Sequence, residues 1–279
     1  MTTYWAPLLH IYQPPIQEID VLKRIDKECY KPLFQVIDDH ENAKFSLNIN
    51  GILIEMLHEY GLSDTMEFLK NLVSENKIEV LGTAKYHPIL PLIPQKEAYH
   101  QIQMNEEINR REFGSSWQRT GFFPPELAIS SQVAKIIKDL GYKWVIMSGI
   151  ACPVDWPYDQ IYTSPNGLQL FFRDDVLSNK ISFKNITAKE FVHSLKHIFK
   201  PIHKDDKEKK VPTKESYVVT AMDGETFGHH IRNYEKTFLG KSLELIAEEE
   251  SIELTFITEL DQYFPVHKKE VIPRESSWS

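Results

Sequence analysis

Short apolar runs alternate with longer stretches of helical spacing along the whole chain. Tyr4–Ile11, Phe45–Ile49, Lys77–Leu81, Gln118–Phe123, Lys143–Met147, Ser216–Ala221 and Ile252–Phe256 read as strands. Between them, Asp26–Asp38, the region from Gly51 to about Asn76, Gln95–Phe113, Ser130–Leu140, Ala188–Phe199 and Tyr234–Glu250 carry apolar residues at helical intervals. Gly141 stands where the fourth of these helices should stop. Ile161–Tyr162 and Leu168–Phe172 flank Ser164-Pro165-Asn166-Gly167, a strong hairpin turn. Repeated strand-then-helix units predict a parallel sheet with helices on its faces, an α/β fold. Around seven such strands favour a barrel over an open sheet. Residues 1–262 form one barrel domain in this reading, with 263–279 as a tail without a clear element. The charged segment Lys200–Lys214 reads as an exposed loop.

Composition narrows the classes. The 279 residues suffice for a sizeable core, and a net charge of −8 argues against nucleic acid or an anionic membrane as partner. Two cysteines far apart, Cys29 and Cys152, make a disulfide framework improbable. The opening MTTYWAPLLHIYQPP lacks a basic leader region, and no stretch approaches the ~20 apolar residues of a membrane span. The expected location is the cytoplasm.

Polar residues collect where strands end, which is where parallel α/β folds place their chemistry. The ends read His10-Ile11-Tyr12-Gln13, Asn48-Ile49-Asn50-Gly51, Tyr86-His87-Pro88, Pro124-Pro125-Glu126, Arg173-Asp174-Asp175 and Met222-Asp223-Gly224-Glu225. Singly, most have a structural explanation: turn residues, a satisfied histidine, an Arg173–Asp174 ion pair, a turn at Asp223-Gly224. Glu126 is harder to dismiss, because two prolines fix the backbone just before it.

HIYQPP, EVLGTAKYHPILPLI, GFFPPELAIS and AMDGETFGHH, in this order, together resemble glycoside hydrolase family 57, a family acting on α-glucans. FFRDDVLSNKISF looks like a further segment of it. The resemblance implies an incomplete seven-stranded (β/α) barrel, usually followed by a helical segment of which the tail could be the start. It implies a retaining α-glucan hydrolase or 4-α-glucanotransferase acting on α-glucan or maltooligosaccharide. Glu126 matches the nucleophile and Asp223 the general acid/base; His10 and His87 match residues lining the sugar cleft. Trp278 resembles the start of a later tryptophan motif, and Tyr12 stands where many members have a second histidine. Gln13, Arg173, Asp174 and His229 complete the expected substrate-binding set, with His230 also at the rim.

Retaining glycoside hydrolysis needs one ionised and one protonated carboxyl ~5–5.5 Å apart. Glu126 and Asp223 are therefore expected to face each other across the barrel mouth, with Gly224 turning the chain and Glu225 in support. Trp5, Tyr86, Trp156 and Phe227 could offer sugar-stacking faces, though most suit a core. No metal or cofactor is required by this route. A metal-dependent polysaccharide deacetylase is the enzyme alternative. Its Asp-and-two-His requirement meets only Asp38-Asp39-His40, at a helix end, and the adjacent His229-His230. A carbohydrate-binding homologue without turnover is the non-enzyme alternative.

Overall fold

The computed structural model describes residues 2–154, 158–198 and 215–278. Lys200–Lys214 and Trp156 lie outside the described residues, as does the end of the helix expected to reach Phe199.

Among the described residues, nine strands form one sheet: β1 (Thr2–Ile11), β2 (Phe45–Ile49), β3 (Ile78–Val80), β4 (Gly121–Phe122), β5 (Trp144–Ser148), β6 (Tyr162–Thr163), β7 (Gln169–Arg173), β8 (Glu215–Asp223) and β9 (Ile252–Leu254). Seven follow the order β3-β2-β1-β8-β7-β5-β4, every neighbouring pair parallel. The two ends of this path meet. Gly82, just past β3, bridges Phe122, with its N–H on the Gly121 carbonyl at 2.9 Å and its own carbonyl accepting from Phe123 N–H at 2.8 Å. The seven strands thus curl into a barrel that closes through a single residue, as the strand count predicts. β6 pairs antiparallel with β7 across the expected hairpin, and β9 adds parallel to the outer part of β1.

The helices are α1 (Ile19–Ile25), α2 (Lys31–Asp38), α3 (Gly51–Glu59), α4 (Ser63–Ser74), α5 (Gln95–Phe113), α6 (Ser131–Asp139), α7 (Asp175–Ser182), α8 (Ala188–Lys196), α9 (Lys241–Ala247) and α10 (Leu260–Tyr263). Two of the expected single helices differ. A π-helical turn, Asp26–Tyr30, joins α1 to α2, and another, Glu235–Gly240, leads into α9. Such wide turns re-aim side chains and recur at functional sites. The sequence also concealed α7, which begins directly after the Arg173-Asp174 strand end.

β1 and β2 are buried along nearly their whole length, the mark of parallel strands covered on both faces. Alternate side chains split between two layers. Leu9, Ile11, Leu47 and Ile49 pack outward against Leu33, Ile37 and Leu53 of the helices. Tyr4, Ala6, Leu8, Ile146, Phe171 and Ala221 fill the barrel interior with Leu81 and Phe123. Both Trp5 and Phe227 are buried in the outer layer, so neither offers a face to a sugar, whereas Tyr86 is exposed.

The tail leaves α10 and runs as a strap over the ends of β6 and β5. Ile161 N–H donates to Pro265, Val271 N–H to Thr163, Arg274 N–H to Ala151, and Ile129 N–H to Ser276. It finishes with Trp278 N–H on the Glu126 carbonyl at 3.0 Å.

Candidate active site

Parallel pairing carries the strand ends to one mouth. His10 lies opposite Asp223 in the β1–β8 register and opposite Asn48 in the β1–β2 register. Glu126 arrives from the far edge, just after β4, on a short turn of residues Pro125–Leu127. Its backbone is left-handed (φ 57°, ψ 21°), and so is that of Leu127 (φ 49°). Consecutive non-glycine residues in that region store strain and mark a side chain held for a purpose.

Both oxygens of Glu126 accept hydrogen bonds. His87 Nε2 donates to Oε1 at 2.9 Å, and the Trp278 indole Nε1 donates to Oε2 at 2.9 Å. His87 is itself left-handed (φ 55°). The His87 bond foremost, then that of Trp278 and the field of His87, hold the Glu126 carboxyl below its ordinary range, against the opposing pull of burial. Asp223 is displaced the other way: burial raises its carboxyl, and the charge of Glu126 adds to this, while His230, His87 and Arg173 oppose it. Asp223 thus feels the charge of Glu126, and the two carboxyls are displaced in opposite directions, the separation of roles that acid–base sites build.

His10 is buried between these groups, its Nδ1 bonded to the Asn48 side-chain oxygen. Burial foremost, then the neighbouring His87, pushes its imidazole down to about 3, so it stays neutral. Four rings stack across the mouth. Phe123 lies on His10 (centroids 4.9 Å apart), His10 on His87 (4.8 Å) and His87 on Tyr12 (4.3 Å), each pair within 20° of parallel.

The remaining expected residues fall into two groups. Arg173 reaches the cluster: its guanidinium lies 5.4 Å from the Trp278 ring centre while bonding Ala221 O, Asp175 and Asn179. Its ion-pair partner is therefore Asp175 rather than Asp174. Asp174 is occupied as the N-cap of α7, accepting from Leu177 N–H at 2.9 Å and from Tyr158. Gln13 is buried and donates to Glu225 at 3.2 Å, holding the loop after β1. His229 turns to Glu28 of the first π-helical turn, at 3.3 Å, and it is His230 whose charge bears on Asp223. Sequence reading placed Asn48, Asp175 and Tyr12 at strand ends without assigning them these contacts, and missed Tyr30, which no spacing or motif marks.

Gly224 also acts differently from expectation. Its φ is not positive; a Cβ there would meet Ile11 Cγ2 at 2.5 Å, so it is glycine because β1 passes so close. The left-handed turn comes at Gly228 (φ 120°), where a Cβ would strike the Glu28 carbonyl at 2.0 Å.

Among the described residues, one group of potential metal ligands converges: His10, His87 and Glu126, with donor atoms within 4.8 Å of one another. Of these, His87 Nε2 bonds Glu126, whose other oxygen accepts from Trp278, while His10 Nδ1 bonds Asn48. Asp38-Asp39-His40 sits at the end of α2, tied to Lys77, Gln35 and the Val36 carbonyl, outside this cluster. No helix among the described residues is long and apolar enough to cross a membrane.

Fold and site define a parallel α/β barrel with a strained glutamate and a buried aspartate at its carboxyl mouth. The sequence profile described as Glycosyl hydrolase family 57 matches residues 3–273, and the chain belongs to that family. It is 26% identical to an alpha-amylase of Pyrococcus horikoshii over 90% of this chain and 39% of that protein. It is 24% identical to a 4-alpha-glucanotransferase of Thermococcus litoralis over 92% of this chain and 38% of that one. The chain thus spans about two fifths of these relatives' length. The crystal structure of 4-alpha-glucanotransferase from Thermococcus litoralis superposes with a TM-score of 0.81 at 21% identity, covering 99% of this chain and 42% of that one. A family 57 branching enzyme from Pyrococcus horikoshii gives 0.82 at 16% identity, over 100% and 73%. A putative polysaccharide deacetylase from Mycobacterium smegmatis gives 0.63 at 11% identity over 97% and 94%, a likeness of fold alone.

Proposed function

We propose that this chain carries the catalytic barrel of an α-glucan-active glycosidase or 4-α-glucanotransferase that works with retention of configuration. Glu126 is the nucleophile, attacking the anomeric carbon; Asp223 is the acid that protonates the leaving oxygen and then the base that activates water or a sugar hydroxyl. The observation that carries this reading is the opposite displacement of the two carboxyls within one cluster: Glu126 shifted toward the ionised form by His87 and Trp278, Asp223 shifted toward the protonated form by burial. The field of Glu126 at Asp223 supports two carboxyls close together, as the ~5–5.5 Å separation of a retaining pair requires.

His10, neutral and buried, suits a hydrogen bond to a sugar hydroxyl without adding charge beside Glu126. Hydrolysis and transfer share the covalent intermediate and differ in whether water or a sugar reaches it first. The named relatives include both an alpha-amylase and a 4-alpha-glucanotransferase. Incubation with maltoheptaose, following reducing ends and chain lengths together, tests the proposal. New reducing ends mean hydrolysis, redistribution without them means transfer, and no change in either with glucan still bound would leave only a binding role.

A further inference from the structure

Glu225 is a buried carboxyl two residues beyond Asp223 that the proposed chemistry does not use. Its Oε1 gathers three donors: the Tyr30 hydroxyl at 2.7 Å, Gln13 Nε2 at 3.2 Å and Tyr12 N–H at 3.3 Å. Tyr30 ends the first π-helical turn; Tyr12 and Gln13 belong to the loop after β1. The same π-helical turn grips the Asp223 loop at two more points, through Cys29 Sγ on the Gly224 carbonyl and through Gly228 packed on the Glu28 backbone. Glu225 therefore bolts three separate segments together directly behind Asp223.

Tyr12, whose backbone that carboxyl holds, lays its ring on His87 and forms the outer, half-buried end of the four-ring stack. The stack's other end is Phe123, in the segment that delivers Glu126. His87 is thus pinned between His10 and Tyr12 while it donates to Glu126. Without the Tyr12 ring, water gains the open face of His87 and competes for that bond.

Resting on the reading of Glu126 and Asp223 given above, we infer that Glu225 and Tyr12 are positioning residues. They tie the acid/base loop to the nucleophile, Glu225 by fixing the Tyr12 backbone and Tyr12 by holding the His87 imidazole on Glu126. Neither touches the reacting atoms, so their removal lowers kcat and leaves KM largely in place. Tyr12 works through its ring face, not its hydroxyl.

The test compares Y12A, Y12F, E225A and the double variant Y12A/E225A on maltoheptaose. Y12A loses about 10- to 100-fold in kcat, the scale of a small misplacement at a reacting centre. Y12F recovers most of that loss, and the double variant falls little below the worse single one, because both act through the same contact. A readout independent of turnover is the downfield proton signal of the His87 N–H bonded to Glu126, assigned by its disappearance in H87A. It is lost or displaced in Y12A and E225A and kept in Y12F. Y12A, at a half-buried loop position, carries the test alone if E225A does not fold. An unchanged signal with full kcat in Y12A overturns the inference, as does a Y12F as impaired as Y12A. Wild-type protein that turns over no glucan, while the signal responds as described, sinks the proposed function and leaves the positioning intact.

Discussion

His87 donates to Glu126 at 2.9 Å, and both residues hold a left-handed backbone, at φ 55° and 57°. Two strained positions from different loops meeting in one hydrogen bond is a costly arrangement, each step of order 1–3 kcal/mol. Such strain persists where the surrounding structure enforces it, and here the ring stack and the Trp278 indole do so.

Removal of either carboxyl separates their roles. D223N loses about 10²- to 10⁴-fold in kcat with natural glucans, the range of general acid–base catalysis. E126Q loses at least about 10⁴-fold, since no covalent intermediate can form. Steady-state rates on maltoheptaose check both, and binding of glucan by E126Q shows that the loss is chemical.

The pH profile of kcat/KM is a bell. Activity rises with pH as Glu126 ionises, on a limb placed low because His87 and Trp278 favour the carboxylate. It falls as Asp223 gives up its proton, on a limb placed high by burial. W278F removes one donor to Glu126 and moves the rising limb to higher pH; H87A moves it further, as the larger contributor. A rising limb that stays put in both variants would mean that it does not report Glu126.

G224A destabilises the protein by about 1–3 kcal/mol, the usual cost of overpacking, because the new Cβ lies 2.5 Å from Ile11 Cγ2. It also lowers kcat, since the backbone that must shift begins at Asp223. Urea unfolding and initial rates measure the two effects separately.

Glu225 makes stability depend on pH. Burial, with the charge of Asp223 adding, pushes its carboxyl up to about 7, against the donors Tyr30 and Gln13. A carboxyl raised in the folded state binds its proton more tightly there than in the unfolded chain. Its contribution is thus fully present below the unfolded pKa of about 4.3 and is lost as pH rises through about 7. E225Q removes this dependence, flattening the stability curve across that window by on the order of a few kcal/mol. Denaturant midpoints from pH 4 to 8 would show a slope unchanged from wild type if Glu225 did not titrate there.

The strands and their parallel pairing were legible from periodicity, and strand ends alone singled out Glu126; Asp223, His10 and His87 were singled out through the family resemblance of their motifs. The hidden parts depend on contacts between distant segments. Asp174 reads like Asp223, as a carboxylate at a strand end, yet α7 begins there and takes it as a cap. His229 and His230 are indistinguishable by position; only the turn at Gly228 decides that His229 goes to Glu28. Glu225 looked like a helix-start residue because its three donors come from residues about 200 positions earlier. The π-helical turns leave no trace in apolar spacing, since one extra residue in a turn resembles ordinary irregularity.

The most direct test of the account is to trap the covalent intermediate. Incubation with 5-fluoro-α-glucosyl fluoride, followed by mass analysis of the intact protein and its peptides, should show one added glycosyl group on the peptide carrying Glu126, absent in E126Q. A label on any other residue, or steady turnover of glucan by E126Q, would contradict the assignment of Glu126 as nucleophile.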